Sequence, residues 1–171
     1  MSSTFVTLGR DARGVPTSDP DRQVGFWIDD ARLMVWLRLL ALHVPGADTR
    51  GSEADLIRHQ WLLASAAPMP GCVPHGFAEA TATDSGFEIV RMALDSLSTA
   101  LAHADRPFSA EALNLLRFDG IVWQQDMDIA ALRQVAATFR DLVDFRLTST
   151  AGSPPLMPGN PRGAADGSRL H

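Results

Sequence analysis

Hydrophobic positions along this chain recur mostly at helical spacing. The densest run is Gly25–Val44, GFWIDDARLMVWLRLLALHV, and its near-continuous apolar content predicts a helix covered on every side. Pro20 and Asp21 mark a helix start near Asp21, and Pro45-Gly46 breaks the chain behind it. Ser52 reads as an N-cap for a second helix with Glu53 and Asp55 in its first turn. Its stripe is Ala54, Ile57, Trp61 and Ala64, widened by Leu56 and Leu63, and Pro68 stops it near Ala67. A short helix is expected from His75 to about Thr81. Thr83-Asp84-Ser85 caps the next, which runs to about His103 with Phe87, Val90, Leu94, Leu97 and Leu101 on one side. Ser109 caps a short helix through Leu116. Asp126 or Asp128 opens the last, to about Arg146, striped by Ile129, Leu132, Val135, Ala136, Phe139, Leu142 and Val143.

The predicted fold is all-α: a single-domain bundle of five or six helices around one central hydrophobic helix, with a disordered C-terminal tail. Residues 1–20 are expected to be a weakly ordered N-terminal arm, and 21–147 the helical domain. From Thr148 onward proline, glycine, serine and alanine dominate, which predicts a flexible tail over 148–171. Pro68-Met-Pro-Gly-Cys-Val-Pro74 is a stiff loop, expected to plug the core or to face a partner.

The charges inside the central run need explaining. On a helical wheel Asp29, Arg32, Trp36 and His43 share one narrow sector, which predicts a rim facing solvent or a partner. Arg38 and Asp30 sit among apolar wheel neighbours. An unpaired charge there is costly, so each needs partners from another element. Trp27 and Trp61 are expected to be buried on facing helices. Asp55, Arg58 and His59 lie away from the second helix's stripe. With Asp29, Arg32, Trp36 and Glu79 they make up the candidate partner-binding residues.

Composition narrows the function. The chain has 171 residues, ample for one core, and its net charge of −5 is the wrong sign for a general nucleic-acid binder. Lysine is absent and all 15 basic residues are arginine. The four charges within Gly25–Val44 argue against a membrane span. Met1–Pro20 is polar and punctuated by glycine and proline, unlike a secretory leader, so a cytoplasmic protein is expected. The single Cys72 fits a reducing compartment.

No glycine-rich phosphate loop, HExxH or GxSxG stands in the sequence. Cys72 and His75 have C-x2-H spacing, with His59 as a third group, but zinc usually takes four ligands, and no metal or cofactor is expected. Arg38-Leu-Leu-Ala-Leu-His43 is R-x4-H on a helix and resembles the motif of HEPN-type ribonucleases. That resemblance implies proton transfer by His43 and phosphorane stabilisation by Arg38. The chain departs from the family in having Leu39 after the arginine and in carrying the motif on its first long helix. Ile57–Phe77, IRHQWLLASAAPMPGCVPHGF, with the helices after it, is similar to small helical immunity proteins encoded beside bacterial polymorphic or type VI secretion toxins. This resemblance spans about Asp21 to Arg146 and implies a cytoplasmic protein with no catalytic residue, which binds and neutralises a toxin domain. The immunity reading is the first expectation, the ribonuclease the alternative, and a structural or regulatory helical module the third.

Overall fold

The computed structural model describes residues 2–66, 71–116 and 122–152. Its first element overturns the all-α expectation. Ser3–Thr7 (β1) and Gly25–Asp29 (β2) form a two-stranded antiparallel sheet, in register from Ser3 opposite Asp29 to Thr7 opposite Gly25. The predicted arm therefore contains a strand, and the first five residues of the predicted central helix are its partner. The local chemistry explains both. Phe26-Trp27-Ile28 is a β-favouring triplet with alternating burial, Phe26 and Ile28 inward and Trp27 outward. Thr4 and Val6 point inward from β1, while Phe5 meets Trp27 across the strands with ring centroids 5.4 Å apart. Gly25 is required by close approach, because a Cβ there would lie 2.0 Å from the Val6 carbonyl oxygen.

The central helix is Asp30–Leu42 (α1), shorter than predicted at its start. Asp29 ends β2 and caps α1 at once, its carboxylate accepting from the Arg32 N–H at 2.9 Å. The expected burial of this helix is present. Leu33, Val35, Leu37 and Leu40 have no exposure, covered by the sheet, by Glu53–Ala66 (α2) and by Asp84–His103 (α4). The remaining helices are Phe77–Ala80 (α3), Ala110–Leu115 (α5) and Ile129–Val143 (α6), making six among the described residues. Ser109, Thr83 and Asp128 cap α5, α4 and α6.

An aromatic chain runs through the core. Trp36 meets Phe139 at 6.1 Å, Phe139 meets Phe77 at 4.8 Å, and Phe77 meets Trp61 at 5.6 Å. Burial of Trp36 corrects its placement on a solvent rim. Trp61 is buried as expected, whereas Trp27 sits half-buried on a strand, its Nε1–H donating to the Ala151 carbonyl at 3.0 Å. The stripes of α4 and α6 pack as predicted, but Leu56 and Leu63 of α2 face outward. Arginines join helices instead of pairing along one: Arg140 pairs with Asp95 of α4, and Arg91 reaches Asp144 at 3.4 Å.

Residues expected in the tail are partly docked. The Gly25 N–H donates to the Ser149 carbonyl at 2.8 Å, the Ser149 hydroxyl donates to the Gly25 carbonyl at 2.7 Å, and Leu147 is buried. Residues 153–171, the rest of the predicted tail, lie outside the described residues.

Candidate functional site

Asp30 and Arg38, the charges that sequence placed inside the core, each find partners. The Asp30 carboxylate accepts from the Thr4 hydroxyl at 2.7 Å and from the Gly71 N–H at 2.7 Å. Thr4 Oγ1 in turn accepts from the Val73 N–H at 2.9 Å. This knot pins the end of the proline-rich loop against β1 and the start of α1, where the helix dipole also favours a carboxylate. Val73 is buried as a plug, while Cys72 is exposed; Ala67–Pro70 lie outside the described residues.

Arg38 binds two other elements. Its Nε–H donates to the Ser65 hydroxyl on α2 at 2.9 Å and its Nη1 to the Leu116 carbonyl at 2.8 Å, so it also closes the end of α5. Burial lowers its pKa from the usual arginine value. His43 turns elsewhere. It ends α1 with Nδ1 2.8 Å from the Ser96 hydroxyl on α4, and burial lowers its pKa. The R-x4-H pair thus divides between α2 with α5 on one side and α4 on the other. Within one chain the two side chains share no bonded partner.

His75 is held differently. Its Nε2–H donates to the Phe5 carbonyl at 3.2 Å and its Nδ1 accepts from the Phe77 N–H at 3.2 Å, which selects the neutral ring. The ring stacks on Phe77 at 4.8 Å, and burial pushes its pKa down. Both nitrogens are engaged, and no group of three or more His, Cys, Asp or Glu side chains with metal-holding geometry occurs among the described residues.

The remaining nominated residues do not share one face. Arg38–Ser65 and Asp30–Gly71 show that α1 and the α2–loop segment run antiparallel, so Asp29 and Arg32 lie at one end of the pair. Asp55 and Arg58 lie towards the other end, joined by a 3.4 Å ion pair. His59 is exposed on α2 and Glu79 on α3.

At the Asp29 end the structure brings in residues that sequence reasoning missed. An open groove of about 610 Å³ lies between Arg32 on one wall and Trp123, Asp126 and Asp128 on the other, with Gln124, Gln125 and Ala131 along it. The connection forming that wall folds back along α5. Phe108 and Met127 form an antiparallel bridge, the Ala110 N–H donates to Asp126 at 2.8 Å, and the Asn114 amide holds both the N–H and the carbonyl of Trp123. Asp128 Oδ1 accepts from the Ala130 N–H at 2.9 Å to cap α6. Arg32 is balanced by Asp29 at 3.4 Å. In the sequence the only signals for this wall are Trp123 and the alternation of Asp126 and Asp128, which read simply as a helix start.

No family model, curated protein or solved structure matches the chain. No helix among the described residues is long and apolar enough to cross a membrane.

Proposed function

We propose that this protein is a cytoplasmic interaction protein that binds and neutralises a bacterial toxin, using the groove between Arg32 and Trp123 as its contact surface. The observation that carries the reading is the separation of Arg38 from His43, which leaves the charged groups of the central helix with structural work. A binding groove, in contrast, needs only a stable scaffold and an open, partly apolar wall, and Trp123 flanked by carboxylates supplies one.

The experiment pairs two assays on purified full-length protein. Incubation with RNA should give no cleavage, and mixing with the product of the adjoining gene should give a stable complex. RNA cleavage that disappears in His43→Ala would replace this reading with the ribonuclease. Absence of both cleavage and complex would leave a structural module.

A further inference from the structure

The groove wall has an apolar end and an acidic rim, and together they specify a partner chemistry. Leu115 is 77% exposed and Val122 78% exposed, unusual for large aliphatic side chains in a chain that buries its other stripes so completely. The double bond between the Asn114 amide and the Trp123 backbone sets these two residues at the same end of the α5 element. Trp123 adjoins them, half-buried against the core and lining the groove. Around them stand Glu111, Asp126 and Asp128, all exposed, with Asp29 behind Arg32.

The rim therefore sets four carboxylates against one guanidinium, and that guanidinium already faces Asp29. Asp126 and Asp128 each spend Oδ1 on a backbone N–H, and no hydrogen bond among the described residues engages their Oδ2. The backbone clips hold both carboxylates in place, so little side-chain entropy is lost when a cation arrives. Resting on the interaction reading above, we infer that the groove and the Leu115–Val122 end dock a protein segment carrying arginine or lysine beside an aliphatic residue. The cation meets Asp126, Asp128 and the Trp123 ring, and the aliphatic side chain covers Leu115 and Val122. Nucleic acid is excluded from this rim by its sign.

The probe is acetyl-Leu-Arg-Leu-Arg-amide, titrated into isotopically labelled full-length protein and followed by NMR, with acetyl-Leu-Glu-Leu-Glu-amide as its counterpart. The basic peptide should shift the Leu115 and Val122 methyls and the Trp123 indole, with millimolar affinity that weakens as salt is raised. The double variant Asp126→Asn, Asp128→Asn keeps both caps, because asparagine caps as well as aspartate. It should keep the wild-type thermal midpoint and weaken the basic peptide about threefold to tenfold. Shifts elsewhere on the molecule, equal response to the acidic peptide, or indifference to the double variant would overturn the assignment. A complex with the adjoining gene's product that ignores the double variant would also remove this surface while keeping the interaction role. Peptide docking with no such complex would keep the surface and remove the toxin.

Discussion

Asp30 and Gly71 stand 41 residues apart in the chain and are joined by a 2.7 Å hydrogen bond from the Gly71 N–H to the carboxylate. The same carboxylate receives the Thr4 hydroxyl, so one nearly buried charge holds the first strand, the central helix and the proline-rich loop together. Its two accepted bonds and its place in the first turn of α1 offset the desolvation that a lone carboxylate would suffer there.

Asp30→Ala should therefore destabilise the fold by about 2–3 kcal/mol, because it strands the Thr4 hydroxyl and the Gly71 N–H together. Urea denaturation measures the loss, and limited proteolysis should show faster cleavage near Gly71 in the variant. A loss under about 1 kcal/mol would mean that the loop is held by Val73 alone.

Trp36 and Trp61 belong to one aromatic chain, and replacing either with alanine should cost about 3–5 kcal/mol. Trp27 should cost distinctly less, since it is half-buried on the outer side of β2. The Trp36 Nε1–H has no hydrogen-bond partner, so Trp36→Phe should recover most of the loss seen in Trp36→Ala. Equal losses in the two Trp36 variants would indicate an indole bond the structure lacks.

The helices beyond Ser52 were legible because each carries a regular apolar stripe behind a capping residue. Thr83, Ser109 and Asp128 cap where expected. The front of the molecule was not. Gly25–Asp29 is apolar on consecutive positions and joins α1 without a loop, so its strand alternation merged into the helical run and Asp29 read as a charge inside a helix instead of a cap. Its partner strand lies 17 residues upstream of Gly25 when counted from Leu8 through Val24, a separation no local pattern reports. The site was hidden for a related reason. Arg38, His43, Asp55 and Arg58 were nominated by spacing along one helix, yet Arg38 and His43 take their partners from other helices, while the groove wall depends on Asn114 clasping Trp123 across a loop.

Docking of the segment after α6 predicts where truncation begins to matter. A chain ending at Gly152 keeps the Ser149 bonds to Gly25 and the Trp27–Ala151 bond. Ending instead at Leu147 removes them and should cost about 1–3 kcal/mol relative to the longer form. Matching thermal midpoints for the two truncations would show that these bonds add nothing beyond solvent contacts.

The last prediction concerns acid. His75 is neutral in the fold, with Nε2–H donating to Phe5 and Nδ1 accepting from Phe77, so protonation would set a new N–H against the Phe77 N–H at the start of α3. Burial is the main cause of its lowered pKa, opposed by the Phe5 carbonyl and by the charge of Glu79. A histidine whose folded pKa lies below its unfolded value of 6.5 leaves stability unaffected well above that pH. As pH falls through 6.5 the unfolded chain takes up the proton first, and the fold loses stability progressively until the folded ring titrates as well. His43, lowered by burial too, acts in the same direction. Glu53, whose pKa is lowered chiefly by the Ser85 and Thr83 hydroxyls, contributes only below its unfolded value of 4.5, a separate window. The thermal midpoint should fall between about pH 7.5 and pH 5.5, and His75→Gln, which can still donate to Phe5, should flatten most of that fall. An unchanged slope in His75→Gln, with His43→Gln removing it instead, would assign the acid sensitivity to the end of α1.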